Sequence, residues 1–426
     1  MKYAAVALML VLAAGAAFMT PPDSAEPAQA PGTVEPPVAI CPVVEVGDQS
    51  TSVSVLSSVN GEGLLSTFAA GEETDSLDFR TGGSGAVTIS AEDAGGVGIT
   101  GALIEMPSET TAAASVMDGP ESLAAESCAD VPTGQSFISG GSTTRGSVFE
   151  IQMINPYAGE ATVELTVTTE AGIESNDRFN SVVVPPLSSI ALRLSDIIPG
   201  RERISANIET TRGSVLAFGR QVTDGEVALW RAVAPGQDWW LPVPPGGKTK
   251  QMVIATPEAG EIGYQVDLYG PEGLIEAHAE GVIEPRGSAV VPLAGVTSEA
   301  VGVHVTTTGP VVPALRIDSP EGLAWTTGSP VTAPVWLLPG ARSPRGGSGS
   351  LVVLNAGIET TTVSIRTLAD ETIVRDLDVD AEEVLVTKLR GANGYRVEAT
   401  GPIVALWTSQ RNGAGSAAIG IPLQDE

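Results

Sequence analysis

The sequence predicts an all-β protein, built of tandem immunoglobulin-like β-sandwich modules that follow an N-terminal apolar export or anchor segment. Two observations support this fold class: the composition, and a strand-turn pattern that recurs along the chain. The 426 residues exceed the size of a single hydrophobic core, so roughly three or four units are expected. With 4% aromatic and 17% charged residues, 49 glycines and 31 prolines, the chain suits short strands joined by many turns.

The first forty residues have the features of an export signal and a spacer. Lys2 precedes an unbroken apolar run from Tyr3 to Met19, and two prolines follow. The run is longer than a signal-peptide core and shorter than a full membrane span, so residues 1–20 are either a cleaved signal peptide or a retained membrane anchor. Residues 21–40, rich in proline and alanine, are expected to form an extended linker. We therefore expect an extracytoplasmic protein, anchored at its N-terminus or secreted.

A pattern of three blocks recurs three times, over residues 148–222, 251–319 and 350–411. Each copy opens with a strand, a turn and a second strand in which apolar residues alternate, as at Val163, Leu165 and Val167, which is typical of a hairpin with one buried face. Each copy closes with two strands joined at a glycine turn, at Gly213, Gly309 and Gly401. About seven short strands per copy indicate an immunoglobulin-like sandwich.

Tryptophan and proline mark the junctions between the copies, in the segments that begin at Trp239 and Trp336. We predict four β modules, at residues 41–132, 133–235, 236–332 and 333–426. The first lacks the Thr-Gly-Pro turn and is interpreted as a diverged copy. Within it, short helical turns are considered at 107–117 and 120–128, because a proline starts each segment and alanine and glutamate follow.

The two cysteines of the chain, Cys41 and Cys128, bracket the first predicted module. In a chain sent to an oxidising compartment, a disulfide between them is the natural interpretation, and a pair of free thiols is the alternative.

Acidic residues outnumber basic ones 51 to 22, for a formal net charge of -29. Most of the surface would repel a polyanion, so nucleic acid is not expected as a partner, and the membrane is expected to be contacted only through the N-terminal segment.

The signatures of common enzymes are missing from the sequence. His278 and His304 lie in separate strand-like stretches, and no HExxH, GxSxG or CxxC motif occurs. Residues Gly96 to Gly101 match the letters of a dinucleotide-binding fingerprint but lack its strand-turn-helix context. We therefore predict no enzyme, no catalytic residue and no cofactor, although a pair of carboxylates of the glycosidase type stays open.

Two sets of residues are candidates for binding. Asp376, Asp378 and Asp380 share one face of a predicted strand and are weak candidates for calcium, the alternative being a solvated acidic face. The junction tryptophans Trp239, Trp240 and Trp336 are candidates for contact with a glycan or a partner protein, the alternative being packing between modules. Because neighbours in a strand point to opposite faces, Trp239 and Trp240 cannot both face the core.

The export segment, the turns at Asn155, Pro185, Gly309 and Gly401, and the order of the blocks resemble a family of uncharacterised actinobacterial exported or envelope proteins that carry a domain of unknown function. The resemblance would cover most of residues 41–426. It implies an exported or anchored envelope protein and supplies no activity. Our leading hypothesis is a non-enzymatic cell-envelope protein that acts as a structural or protein-interaction scaffold, with another envelope protein as partner. The alternative is a protein that binds cell-wall glycan through the junction tryptophans.

Overall fold

The computed structural model describes residues 38–423, except for short gaps at 44, 47–48, 58–59, 70–71, 82–84, 91–100, 107, 109, 119–121, 130–133, 246–248, 271–272, 294–300, 320–321, 368–372, 390–393 and 412–413. Residues Pro37–Glu426 form one compact unit. The predicted export segment and most of the predicted linker lie outside the described residues. The last three residues of that linker, Val38 to Ile40, already belong to the first strand. In the part of the chain that is described, no helix is long and apolar enough to cross a membrane.

The described residues form an all-β sandwich fold, whose strands fall into four groups along the chain. Strand group 1 contains β1 (Val38–Pro42), β2 (Glu45–Val46), β3 (Gln49–Ser50), β4 (Ser52–Ser57), β5 (Gly61–Ala69), β6 (Glu72–Thr81), β7 (Gly85–Ser90), β8 (Gly101–Glu105), β9 (Thr111–Asp118) and β10 (Leu123–Ser127). Strand group 2 contains β11 (Gln135–Ile138), β12 (Ser147–Asn155), β13 (Ala161–Thr169), β14 (Gly172–Glu174), β15 (Val182–Val184), β16 (Ser188–Arg193), β17 (Ile204–Arg212), β18 (Leu216–Thr223) and β19 (Glu226–Arg231), with 3-10 turns at Asp177–Phe179 and Leu194–Asp196.

Strand group 3 contains β20 (Gly236–Val243), β21 (Thr249–Ala255), β22 (Ile262–Gly270), β23 (Gly273–Ile283), β24 (Ser288–Pro292), β25 (Val301–Ser319) and β26 (Gly322–Thr327). Strand group 4 contains β27 (Ala333–Pro339), β28 (Ser348–Asn355), β29 (Thr361–Thr367), β30 (Ile373–Val379), β31 (Val384–Lys388), β32 (Gly394–Arg411), β33 (Ala414–Ile419) and β34 (Ile421–Leu423). β20 begins at Gly236 and β27 at Ala333, and residue 133 lies outside the described residues.

All four groups pair their strands in the same antiparallel order. One sheet of each group runs β1–β8–β5–β6, β11–β17–β13–β14, β20–β25–β22–β23 or β27–β32–β29–β30. The other runs β10–β9–β4–β7, β19–β18–β12–β16, β26–β25–β21–β24 or β33–β32–β28–β31. In groups 3 and 4 one long strand, β25 or β32, passes through both sheets. The first group, which the sequence matches least well, therefore has the same pairing order as the others.

The hairpins predicted at Gly309 and Gly401 are wrong, because each glycine lies inside one continuous strand. The hairpin predicted at Gly213 is wrong too, because β17 and β18 belong to different sheets and do not pair with each other.

The helical turns considered in the first group are wrong, because their residues form β9 and β10. Ala112, Ala113 and Ala114 are consecutive and all buried, so both faces of β9 are covered. Burial on two faces removes the alternation that would have marked a strand in the sequence, and packing overrides the helix preference of alanine.

The turn predicted at Asn155 and the equivalent turn at Asn355 are held by the same hydrogen-bonding scheme. Each side-chain amide nitrogen lies 2.8–3.1 Å from three carbonyl oxygens, those of Gly159, Val184 and Pro185 in one case and of Glu359, Val379 and Asp380 in the other. Each side-chain oxygen accepts a backbone N–H two residues on. The buried asparagine thus ties the end of the first long strand to the chain that returns opposite it.

The four groups pack in a closed cycle. At three junctions a glycine of one group receives an aliphatic side chain of another: Gly101 faces Ile154, Gly302 faces Leu354 and Gly394 faces Leu56. At the remaining junction, between groups 2 and 3, Gly140 faces the ring of Trp325. Because Gly394 belongs to group 4 and Leu56 to group 1, the last group contacts the first.

Charged side chains add to the contact that closes this cycle. Asp118, at the end of β9, accepts hydrogen bonds from Arg342 at 2.9 Å and from Arg411 at 2.8 Å, both from group 4. Arg411 is largely buried, so part of this network is shielded from solvent.

The last main strand of each group, β10, β19, β26 and β33, meets the others at the centre of the cycle. Ala125, Ala228, Ala324 and Ala417, one from each strand, line the same small gap, which has no room for a water molecule. Small side chains let four strands approach one another closely. The four strands therefore fill the centre of the cycle and leave no channel between them.

Candidate functional site

The exposed side of one sheet in group 3 brings aromatic and polar side chains together. The register pairs Trp240 of β20 with His304 of β25, and His304 with Asp267 of β22. The next row along the sheet joins Asp238, Thr306, Gln265 and Glu280. Side chains alternate across a strand, so these residues share one face, here called the outer face of group 3.

An aromatic stack occupies the end of this face nearest group 4. The Trp240 and His304 rings are parallel, with centroids 3.8 Å apart and planes within 9°. Tyr269 extends the stack at 5.9 Å from Trp240, and His304 Nε2 lies 3.2 Å from Asp238 Oδ1. Trp240 also packs against the hydrophobic core of group 4. The stacked rings are therefore held in place by contacts with both group 3 and group 4.

The outer face has an acidic environment. Burial and, to a smaller extent, the charges of Glu382, Asp267, Asp238 and Glu276 together raise the pKa of Tyr269 to about 12. The negative charge of four carboxylates disfavours a phenolate at Tyr269, and the same charge would favour a bound cation.

A groove of about 610 Å³ lies at the other end of the face. Three consecutive residues of each of three neighbouring strands line it, at 263–265, 280–282 and 306–308. Gly263 leaves the sheet bare on the outer face, beside Thr308, which makes room for the groove. The Gln265 amide donates to both carboxylate oxygens of Asp267, at 2.9 and 3.1 Å, so this wall has a fixed arrangement.

The groove borders on β23, the edge strand of the sheet. A bulge divides β23, because the pairing with β22 shifts between Val266 and Leu268, and the backbone N–H of Ala277 donates instead to Asp267 Oδ1 at 2.7 Å. Three of the exposed large apolar side chains lie on this strand, namely Leu274, Ile275 and Val282, which are 41%, 44% and 61% exposed. Exposed apolar side chains along a sheet edge mark a possible contact surface.

The structure separates the three junction tryptophans. Trp239 and Trp336 are completely buried in the cores of groups 3 and 4, and the indole N–H of Trp336 donates to the carbonyls of Ala333 and Ile403. Neither ring offers a face to a ligand. Trp240 is half-buried on the outer face, as the alternation of neighbouring residues predicted for one of the pair.

Asp376, Asp378 and Asp380 lie on one exposed side of the chain at β30 but do not converge. Each accepts a hydrogen bond from a different hydroxyl, that of Ser364, Thr362 or Thr360, at 2.6–2.8 Å. Within the described ranges no three His, Cys, Asp or Glu side chains cluster in a way that could hold a metal ion. Each carboxylate is therefore paired with its own hydroxyl group across the strand pair, and the three are not directed at a common point.

The predicted disulfide between Cys41 and Cys128 is confirmed. His278 is only partly exposed, with Nε2 3.4 Å from the Pro292 carbonyl oxygen. Of the glycine motif between Gly96 and Gly101, only Gly101 is described, and it is the first residue of β8.

The carboxyl group with the largest described pKa shift lies away from the outer face. Glu126, on β10 at the centre of the cycle, accepts hydrogen bonds from the backbone N–H groups of Ser127 and Arg231 at 2.9 and 3.1 Å. Burial raises its pKa to about 7, against the opposing charge of Arg231. Being buried, it meets no solute and belongs to the packing between groups 1 and 2.

The sequence did not predict that His304, Tyr269 and Asp238 gather around Trp240. One signal was present, since His304 occupies an outward position in the alternating run from Val301 to Thr306. Which strands lie beside His304 depends on pairing between residues far apart in the sequence, and the alternation of apolar residues does not predict that pairing.

The profile of a family of unknown function, DUF5719, matches the chain over residues 87–228 and 227–422. The chain belongs to this family. The two matches together span residues 87–422, and each includes strands of more than one strand group. A domain of unknown function, as the sequence resemblance implied, is thereby confirmed. No curated protein matches the chain.

Likeness to solved structures is weak. The RrgB pilus protein of Streptococcus pneumoniae shares 10% identity at a TM-score of 0.14, with 89% of this chain and 61% of that chain covered. The native E. coli alpha-2-macroglobulin shares 9% identity at a TM-score of 0.13, with 87% of this chain and 28% of that chain covered. The chain spans less than two thirds of the length of each, and likenesses of this strength carry no inference about function.

Proposed function

We propose that this protein is a non-enzymatic scaffold of the cell envelope, of the actinobacterial kind that its turns resemble, and that it binds another envelope protein. In this proposal the four strand groups are tandem immunoglobulin-like modules with boundaries near 133, 236 and 333. The closed cycle is the observation that carries the proposal. Modules that each contact two neighbours and a common centre hold their outward surfaces in fixed relative positions, which is what a scaffold needs.

The arrangement of reactive side chains supports a binding role over a catalytic one. His304 is committed to the stack with Trp240 and to Asp238, and Glu126 is buried at the centre of the cycle. A general base has to reach a substrate proton within hydrogen-bonding distance, and neither group is placed in a cleft that would admit a substrate.

The disulfide supports a location outside the cytoplasm, where such bonds form and persist. The apolar run from Tyr3 to Met19 would deliver the chain there, as a cleaved signal or as an anchor.

Photo-crosslinking in the native host tests the scaffold proposal. p-Benzoylphenylalanine is placed, one site at a time, at the exposed apolar positions 157, 173, 282 and 358, and at the exposed charged position 209 as a control. We expect light-dependent protein adducts of discrete mass from at least one apolar position and none from 209. If no apolar position yields a protein adduct, the scaffold proposal fails.

Binding of a cell-wall glycan is the second candidate, and the position of Trp240 favours it. Its ring is half-buried beside polar side chains on an open face, the environment in which aromatic rings contact sugars. A panel of cell-wall polysaccharides is tested for retention of the wild type, the Trp240→Ala variant and a Tyr157→Ala control. Retention that only Trp240→Ala loses would support glycan binding, and no retention of the wild type would exclude it.

A further inference from the structure

We propose that the edge of β23 binds an extended, basic segment of the partner protein, which pairs with the edge as an added strand and places a basic side chain in the adjoining groove. The proposal rests on the scaffold function and names the surface and the kind of partner. The edge in question is the stretch from Ala279 to Ile283, beyond the bulge, where the pairing of β23 with β22 is regular.

The corresponding edge strands differ among the four groups. β23 is the outermost strand of its sheet, and no described strand pairs with its outer side. In group 4 the matching strand β30 exposes Asp376 and Asp378, and in group 1 β6 exposes Asp78 and Arg80. Charged side chains protect a sheet edge from pairing with other strands. In group 2 the matching strand β14 has only three residues.

In its second stretch, Ala279 to Ile283, β23 exposes one charged side chain, Glu280, which would repel an acidic strand and attract a basic one. Val282 is 61% exposed, and no described strand covers the outer side of this stretch. An extended segment can therefore approach the free N–H and C=O groups of this edge. Peptides that add a strand to a sheet gain affinity from such main-chain hydrogen bonds, and gain specificity from pockets that take alternate side chains.

The groove supplies such a pocket directly beside the edge. Residues 280–282 of β23 form one of its walls, so a side chain of the added strand that points to the outer face would enter it. Glu280 and Gln265 are exposed in this groove, and Asp267 and Asp238 lie in the same or the adjoining row of the face.

These groups select the charge of the occupant. None of the residues that line the groove is basic, and Glu276, Glu280 and Glu284 are all exposed along or just after β23. Lysine or arginine of the partner would be paired here, whereas an acidic segment would be repelled. The net charge of -29 would also favour the approach of a basic partner.

Photo-crosslinking from position 282 of the full chain, in the native host, tests the proposal. Position 378, on the matching edge of group 4, is the control. We expect a protein adduct from 282 and none from 378, and mass spectrometry should place the crosslink in an extended segment that contains lysine or arginine. An adduct with a polysaccharide, or with an acidic or helical segment, would overturn the proposal.

The crosslinked segment is then synthesised and its binding to the purified full chain is measured. We expect Glu280→Lys to weaken binding at least tenfold, and the matched charge change Asp378→Lys to leave the affinity unchanged. Backbone amides within 279–283 should exchange more slowly with solvent when the peptide is bound, which a purely electrostatic contact would not produce. Equal effects of the two variants, or unchanged exchange at 279–283, would contradict the proposal.

The two proposals fail in different ways. Protein adducts from 157, 173 or 358 without one from 282 would leave the scaffold intact and reject the β23 edge. The absence of protein adducts at all these positions would reject both.

Discussion

Replacing Gly302 by alanine tests whether the junction between groups 3 and 4 is as tight as it appears. A methyl group on Gly302 would lie 2.4 Å from Leu354 Cδ1 and 3.1 Å from Cδ2. Carbon atoms prefer separations of about 3.5–4.0 Å, so the leucine or the strand would have to move by about 1 Å. Leu354 is completely buried, and overpacking of this kind costs about 1–3 kcal/mol.

Equilibrium unfolding in urea gives the free energy of unfolding of the wild type and the variants. We expect Gly302→Ala to lower it by about 1–3 kcal/mol and Leu354→Ala by about 2–5 kcal/mol, because the latter leaves a cavity. The double variant should lose about 1–3 kcal/mol less than the sum, since the new methyl group then occupies space that the leucine vacated. Gly260→Ala is the matched control, as a methyl group there meets nothing within 4 Å.

Two results would refute this reasoning. If Gly302→Ala were as stable as Gly260→Ala, the glycine would not be packed against Leu354. If the two single losses were simply additive, the residues would not be in contact, and the closed cycle would lose one of its junctions.

Three further perturbations test other parts of the fold. Burial raises the pKa of Glu126 from its ordinary value of 4.5 to about 7, so between these values the native state holds a proton that the unfolded state releases. The free energy of unfolding should therefore fall by up to about 3 kcal/mol as pH rises from 5 to 8. Urea titrations of Glu126→Gln should show a flatter pH dependence than those of the wild type. Asn355→Ala should cost about 2–3 kcal/mol through lost buried hydrogen bonds, whereas Asn180→Ala, at an exposed site, should change the free energy of unfolding by less than about 0.5 kcal/mol. Replacing Cys41 and Cys128 together by serine should lower it by about 4–5 kcal/mol, given the 87-residue separation, and an unchanged urea midpoint would show that the bond contributes nothing.

Local patterns predicted most strands of groups 2, 3 and 4 and the turns at Asn155 and Pro185, but not the course of the chain at Gly309 and Gly401, where one continuous strand replaces the predicted hairpin. Alternation identified β13, and the asparagine at the end of the first long strand identified the turn at Asn155. The same rules failed at β9, where three consecutive alanines are buried on both faces. A strand covered on two sides has no period of two to detect.

The sequence predicted the orientation of the tryptophans in the candidate site only in part. Alternation required Trp239 and Trp240 to face opposite ways, and the structure buries the first and partly exposes the second. Alternation did not predict that Trp336 is buried too. Trp336 pairs with Val397 as Trp239 pairs with Val305, and Leu337, at the position equivalent to Trp240, is itself completely buried against group 1. The groove depends on the register of three strands from distant parts of the chain, which local patterns do not determine.

Contact between the last strand group and the first has a consequence for how the chain could change in length. Repeat proteins that stack in an open line tolerate the gain or loss of a unit, because every unit meets only its neighbours. Here Gly394 and Arg411 of group 4 meet Leu56 and Asp118 of group 1, and four alanine-bearing strands fill the centre. An added group could not place a strand at this centre, and the loss of one group would expose the surfaces of two others that it covers. The closed packing of the described strand groups therefore makes the gain or loss of one group costly.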